Sequence, residues 1–301
     1  GENLLSVTGL FVTQDREEKI QVNQTIKGER RFLINGQKSD GLKQLIGKNP
    51  VVLLSPEEQI ITKGSPGNRR SYFDKTFCVV SKPYLTDLTG FTKTLKQRNR
   101  MLMMIRDKQS TEETLQAWDE KLSLVGFELL KKRKALFKEF ESLLSEIVIQ
   151  YGDKTELTCD YNNYKFKNVK EFQKKLVSER KKDIFLCRTN TGPHREKFEF
   201  NYRTKQLREF GSQGEHKLAL LLIKLAEMVF IKNKLKAIPT LLLDDLFAKL
   251  DDKRSRKILD MLNNTIQLII TMTDLRDIEK RGVDLNNERN KSLHLKQTWI
   301  N

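Results

Sequence analysis

The period of the hydrophobic positions changes several times along the chain. Leu4 to Thr13, Glu18 to Ile26 and Arg30 to Gly36 alternate as half-buried strands do, with polar turns at Gln14 to Glu18 and Lys27 to Glu29, and predict a β-meander. Pro50 to Leu54 reads as a buried strand. Ser55, Pro56 and Glu58 then stand at the N-cap, first-turn and capping-box positions of a helix. From Tyr84 to Tyr151 there is no proline, and Leu95, Leu102, Leu115, Leu122, Leu124, Leu130, Phe137, Phe140 and Leu144 recur at helical spacing, with a break near Asp107 to Thr111. This pattern predicts an arm of two long antiparallel helices. Next come a brief strand at Leu157 to Asp160, a basic amphipathic helix at Val169 to Lys182, a strand at Asp183 to Cys187, and a hairpin over Lys197 to Tyr202 and Lys205 to Leu207.

The stretch from Gly211 to Asp251 organises the rest. A turn with Ser212, Gln213 and Gly214 opens a run in which Leu218, Leu221, Leu222, Leu225, Met228 and Val229 share one helical face. Leu241, Leu242 and Leu243 follow as a strand buried on both faces, ending in Asp244 and Asp245. A helix from Asp252 to Leu262, a buried strand from Gln267 to Thr271 and a basic tail with a strand-like Ser292 to Ile300 complete the pattern.

Composition narrows the partners. The 301 residues include 56 Lys and Arg against 40 Asp and Glu, a formal charge of +16, which favours a polyanion such as nucleic acid over simple solubility. Cys78, Cys159 and Cys187 are far apart and show no CxxC spacing, which points to a reducing cytosol and no structural zinc. No apolar run approaches the ~20 residues of a membrane span, and no signal peptide is visible.

Each part of the central stretch has a chemical use. A Ser-x-Gly turn opening a helix offers a hydroxyl, free N–H groups and the positive end of the helix dipole to a phosphate. An Asp at the carboxyl end of a parallel strand suits Mg²⁺, and the acid beside it can orient or deprotonate water. The same two acids would also serve as a helix cap and a surface charge. A nucleotidase of this kind further needs GxxxxGK[ST], and the sequence holds none. The nearest string, Gly36 to Lys43, has Leu42 where Lys belongs and reads as a hairpin turn.

The SQG turn, the LLLDD strand, AKLD after it and the later ITMTDL resemble the C-terminal half of an ABC-type ATPase head. Three strings, Leu53 to Asp74, Thr189 to Phe198 and Ser212 to Glu227, narrow the resemblance to the RecF family of bacterial recombination mediators, from about Phe32 onward. The resemblance implies an α/β, P-loop NTPase-type head with an inserted antiparallel helical arm. Its parts would be residues 1–83, the β-rich part of the head without the P-loop, 84–182, the arm, and 183–301, the rest of the head. The P-loop of such heads precedes the meander, so the chain is expected to begin after it, loss of the loop being the other reading. As given, it is expected not to hydrolyse ATP.

In the intact protein the resemblance implies a weak DNA-dependent ATPase with ATP and Mg²⁺ as cofactors. Two copies would sandwich nucleotide in an ATP-dependent homodimer, each P-loop facing the partner's Ser212, Gln213 and Gly214. Asp244 would hold the metal, Asp245 the water and Asp251 a contact between heads, while Thr273 or Asp274 stands where many ABC heads carry a switch His. Lys217 is a candidate for the partner's phosphate or base. Double-stranded DNA near single-strand gaps, RecO and RecR are the implied partners, in the cytoplasm at the nucleoid. Lys63, Arg69, Arg70, Arg98 and Arg100, the last two in a basic cluster with Lys96, Arg106 and Lys108, are candidate DNA contacts; solvated faces, or for Arg69 and Arg70 a structural role, are the alternatives. Glu57 or Gln59 is a further candidate for metal or water. His194 with Arg195 is read either as near the nucleotide or as a turn held by a His hydrogen bond. A nucleotide-free DNA-binding or scaffold module is the competing class; three acids in one short segment argue against a two-metal nuclease.

Overall fold

The computed structural model describes residues 4–13, 16–39, 41, 44–152, 155–244, 252–262, 267–271, 287–288 and 290–293. Asp245, Asp251, Thr273, Asp274, Leu42 and most of the tail lie outside them. The meander forms as four antiparallel strands in sequential order, β1 (Leu4–Thr13), β2 (Arg16–Thr25), β3 (Arg30–Ile34) and β4 (Gln37–Lys38). The turn before β2 is shorter than expected, because Arg16 and Glu17 already pair with Thr13 and Val12. Asn35 and Gly36, both at positive φ, make the two-residue β3–β4 hairpin, so the GQKS string is a turn.

β5 (Val51–Leu54) pairs in parallel with β9 (Thr240–Asp244), which pairs in parallel with β10 (Leu268–Thr271). The sequence predicts strands buried on both faces, and the structure corrects this. Val52, Leu54, Leu241 and Leu243 point inward, but Val51 (50%), Leu53 (40%) and Ile269 (48%) are exposed on the opposite face. A short all-apolar run cannot reveal that, among the described residues, one face of the sheet is left exposed.

After β5 the chain makes a 3-10 turn (Pro56–Gln59), then α1 (Ile60–Lys63), α2 (Pro66–Val80), α3 (Lys82–Arg106) and α4 (Leu115–Tyr151). The capping box forms at Ser65 with Asn68, ahead of α2 and ten residues later than predicted; Ser55 stands at the N-cap of the 3-10 turn, with Pro56 in its first position, but its side chain makes no capping bond. α3 and α4 are antiparallel, as Asp87 meets Lys132 and Arg98 meets Asp119. At 37 residues α4 is about 55 Å long. Its second half leaves the arm and enters the main core against α8, where Phe137, Phe140, Leu144 and Ile147 are buried. Leu124, assigned to the helical stripe, is exposed.

β6 (Leu157–Asn162), α5 (Val169–Ser178) and α6 (Arg180–Leu186) follow. The predicted strand at Asp183 to Cys187 is therefore helix, ended by Cys187 in the left-handed region. Its apolar run is not a core run: Phe185 is exposed and only Asp183 is fully buried. A boundary after residue 182 would cut through α6. β7 (Lys197–Tyr202) and β8 (Lys205–Gln206) form the expected hairpin, then α7 (Leu207–Phe210), α8 (Gln213–Leu235) and, after β9, α9 (Asp252–Leu262). Among the described residues no helix is long and apolar enough to cross a membrane.

Two buried arginines tie arm to head. Arg98 on α3 is fully buried and donates to Asp119 (2.7 Å), Asp183 (2.8 Å) and the Thr189 hydroxyl (2.7 Å). Arg133 on α4 donates to Asp74 (2.8 Å), Glu196 (2.6 Å), the Tyr84 hydroxyl (2.9 Å) and the Pro193 carbonyl (2.7 Å). Both networks end on the loop from Thr189 to Glu196. There Gly192, at φ +129°, passes so close to Phe172 that a Cβ would sit 2.9 Å from its ring; a Cβ at Gly126 on α4 would sit 2.7 Å from the same ring.

His194 donates Nε2–H to the Thr189 carbonyl (2.8 Å), since a carbonyl can only accept, and so holds this turn. Burial pushes its pKa down to about 4, helped by the nearby Arg195, Arg70 and Arg133. Burial likewise raises the Cys78 thiol to about 12 and Cys159 well above its ordinary value. The described cysteines are all free.

Two measurements probe this frame. Arg98→Ala leaves Asp183 buried beside Asn190 with no cation and is expected to cost about 3–5 kcal/mol in urea unfolding; a loss under about 1 kcal/mol would show that water satisfies the site. The unfolded chain protonates His194 near its ordinary 6.5 and the native chain only near 4, so stability falls as pH drops through that window. Relative to His194→Gln, the wild type should lose about 3 kcal/mol between pH 7 and 4; parallel pH profiles would place the imidazole in water.

Candidate nucleotide site and relatives of the chain

The carboxyl ends of β5 and β9 lie side by side because Leu54 pairs with Leu243 in register. Asp244 therefore ends the central strand of the parallel sheet, the position at which open α/β sheets present groups to ligands. The Thr271 hydroxyl of β10 donates to its carboxylate and orients it. Glu57, in the turn after β5, is close enough to feel the Asp244 charge; a hydrogen bond from Ser55 holds its pKa below the usual carboxylate value, and Asp244 opposes that shift. Two oxygen-donor side chains with a shared negative field fit a hard cation such as Mg²⁺. Among the described residues no group of three or more His, Cys, Asp or Glu forms a metal cage, and Asp245, the next acid, lies outside them.

Ser212 is the N-cap of α8, with extended backbone. Its hydroxyl accepts from the Glu215 N–H (3.3 Å), and the Glu215 carboxylate accepts from the Ser212 N–H (2.8 Å), which lowers the Glu215 pKa. The N–H groups of Gln213 and Gly214, in the first turn, have no helical acceptor and point outward at the positive end of a 23-residue helix. Lys217 is half-buried one turn further on. His216 is buried beside Lys63, and burial first and that lysine second lower its pKa.

The 56–63 segment joins the two clusters, with Glu57 near Asp244 at one end and Lys63 near His216 at the other. Lys224 fastens it. This lysine, 4% exposed, pairs with Glu58 (2.6 Å) and Glu227 (2.9 Å) and lies 5.1 Å from the Tyr72 ring centre, and Thr76 donates to Glu227 (3.0 Å). Glu58 is thus an ion-pair partner and not a helix cap. Sequence reading missed Lys224, although a lysine inside the run LLLIKLAEM was a signal that a counter-charge waits in the core.

Several basic candidates are committed elsewhere. Arg98 is enclosed by Asp119 and Asp183 and has no guanidinium to offer DNA. Arg69, 3% exposed, donates to the carbonyls of Phe198 (2.5 Å) and Gly64 (2.9 Å), and Arg70 donates to the Glu196 carbonyl (2.8 Å). The structural alternative accounts for both, because a backbone carbonyl inside the fold needs a donor as much as a phosphate does. Lys63 and Arg100 are exposed. Arg106 pairs with Asp107 (3.0 Å).

No family model matches the chain. Among curated proteins it is 32% identical over 283 residues to the "DNA replication and repair protein RecF" of Agathobacter rectalis, covering 93% of this chain and 77% of that one. It is 37% identical over 242 residues to the protein of that name from Lachnoclostridium phytofermentans, covering 80% of this chain and 66% of that one, just under two thirds of its length. Of solved structures, that of the recombination mediator RecF with ATP in the RecFOR pathway superposes with a TM-score of 0.83 at 29% identity, over 91% of this chain and 76% of that one. A second RecF structure, with an ATP analogue, gives 0.81 at 28% over the same shares. With the resemblance of its motifs matched by relatives over most of its length and by an ABC-type ATPase head in three dimensions, the chain belongs to the RecF family.

Proposed function

We propose that this chain serves in DNA repair as a recombination mediator that binds ATP with Mg²⁺ and double-stranded DNA near single-strand gaps, dimerises on ATP, and works with RecO and RecR. The observation that carries the reading is Asp244, held by Thr271 at the end of the central parallel strand, beside Glu57. Mg²⁺ bound there would neutralise charge on the phosphates during their cleavage. Asp244 supplies a carboxylate to hold it, and Asp245 is proposed to orient or deprotonate the attacking water. The first-turn N–H groups of Gln213 and Gly214 and the Ser212 hydroxyl are proposed to meet the phosphates of nucleotide carried by a second copy. Lys217 is proposed to reach the same nucleotide, Asp251 to make the contact between heads, and Thr273 to stand at the γ-phosphate, where many ABC heads carry a switch His. The Glu215 carboxylate now fills that helix mouth and must yield to an arriving phosphate, because like charges repel. Lys63 and Arg100, with Lys96 and Lys108 of the same basic cluster as Arg100, are exposed candidates for duplex DNA, supported by the +16 net charge.

The second reading is a nucleotide-free DNA-binding or scaffold module, which holds if the intact protein has no GxxxxGK[ST] loop. ATP-analogue calorimetry on the intact protein separates the two, since absent binding leaves only the module.

In the intact protein, Asp245→Asn should preserve ATP-driven dimers while slowing turnover by about a hundredfold or more. Unchanged turnover would remove Asp245 from the mechanism. Duplex affinity should fall steeply with salt, and a flat response would leave the positive charge as a solubility feature.

A further inference from the structure

The basic segment from Val169 to Lys182 is left unexplained by the nucleotide site. In the structure it forms α5 and α6, and Glu179 between them keeps right-handed helical backbone (φ −93°, ψ −2°), so one face runs across the junction. Lys170, Lys174, Lys181, Lys182 and Phe185 recur at helical spacing on that face and are all exposed. Phe172, Leu176 and Asp183 occupy the opposite face and are fully buried, where the two helices meet α4 and α3. The exposed stripe is about 22 Å long from Lys170 to Phe185.

Its acids are all engaged. Glu171 accepts from the Lys167 backbone N–H (2.8 Å), Glu179 pairs with Lys175 (2.7 Å), and Asp183 is enclosed by Arg98 and Asn190. No carboxylate partner faces Lys170, Lys174 or Lys181 among the described residues, and Arg188, also exposed, follows just beyond the helix. At the end of the stripe the ring of Phe185 is 79% exposed, whereas most phenylalanines of the chain are in the core.

Resting on the nucleic-acid reading above, we propose that this face binds single-stranded nucleic acid, with phosphates along the lysines and an unpaired base stacked on Phe185. A widely exposed ring at the end of a row of lysines, with Val177 and Leu186 partly exposed beside them, matches the alternation of base and phosphate in a single strand. In a duplex the base faces are already stacked and unavailable. A membrane is disfavoured because the apolar face of both helices is already buried against α3 and α4. An acidic peptide would match the charge but would leave the ring without a groove to fill.

The test is fluorescence anisotropy of the full chain with labelled oligo(dT) of about 20 nucleotides, longer than a typical single-strand site, and with a duplex of the same length. Phe185→Ala and Phe185→Leu should each weaken oligo(dT) binding about fivefold or more, Phe185→Trp should retain it, and duplex binding should change less than about twofold. Replacing Lys170, Lys174 and Lys181 together by Ala should lower the salt slope for oligo(dT) by about 2. As Phe185 is exposed, unfolding midpoints should not move. Equal loss on the duplex, or wild-type affinity in Phe185→Leu, would overturn the proposal while leaving the wider nucleic-acid reading in place. Polyglutamate competing as well as oligo(dT) would reassign the face to an acidic protein segment. A wild-type chain that binds neither nucleic acid would overturn the reading on which the proposal rests.

Discussion

A guanidinium taken out of water has to meet its counter-charges inside the protein, and two arginines place this demand at the centre of the fold. Arg98 and Arg133 sit on opposite helices of the arm, and their partners come from α2, α4, α6 and the Thr189 to Glu196 loop. None of these elements can move far without leaving a buried charge unpaired, a loss of several kcal/mol. Arm and head are therefore one mechanical unit at that loop. The aromatic packing follows the same geometry: Phe73 lies one turn from Arg69 and Arg70 and touches Phe77, Phe137, Phe140, Phe198 and Phe200, with ring centres between 4.3 and 6.1 Å apart.

The nucleotide side of the molecule shows the opposite electrostatic design. Asp244, held by Thr271, and the exposed Glu57 bring two carboxylates near one another, and the first-turn N–H groups of Gln213 and Gly214 lie outside the helical ladder at an exposed helix end. Water solvates these groups, so a ligand that brings a metal and phosphates can take its place. Lys224 keeps the segment linking the two in place, because its own charge is buried and held by Glu58 and Glu227. A rigid interior thus carries a rim open to water, as suits the proposed metal and phosphates.

Much was legible from the chain alone. The period of the apolar residues gave the meander, the arm and its break, the long helix after Gly211 and the strand ending at Asp244, because burial of one face leaves its period in the residues that line it. The three strings that carried the family resemblance were also readable, but their meaning was not. Arg69, Arg70, Phe73 and Asp74, with Thr189, Gly192, Pro193, His194 and Glu196, turned out to build the joint between arm and head. A charged residue is the same letter whether it meets a phosphate or a buried carboxylate, and only the fold decides which.

The same limit explains the errors at single elements. Asp183 to Cys187 is helix and not strand because Asp183 is pulled inward by Arg98, some 85 positions earlier, a contact with no local trace. The inner and outer faces of β5, β9 and β10 differ in burial, with α8 packed against β5, which a run of leucines cannot state. By itself the sequence determined the periodic elements, the phosphate-ready turn and the acid at a strand end, all properties of neighbouring residues. The tertiary structure decided which arginines are buried, that Lys224 holds Glu58, and that one lysine face with Phe185 stays open, because these depend on distant segments arriving at one place.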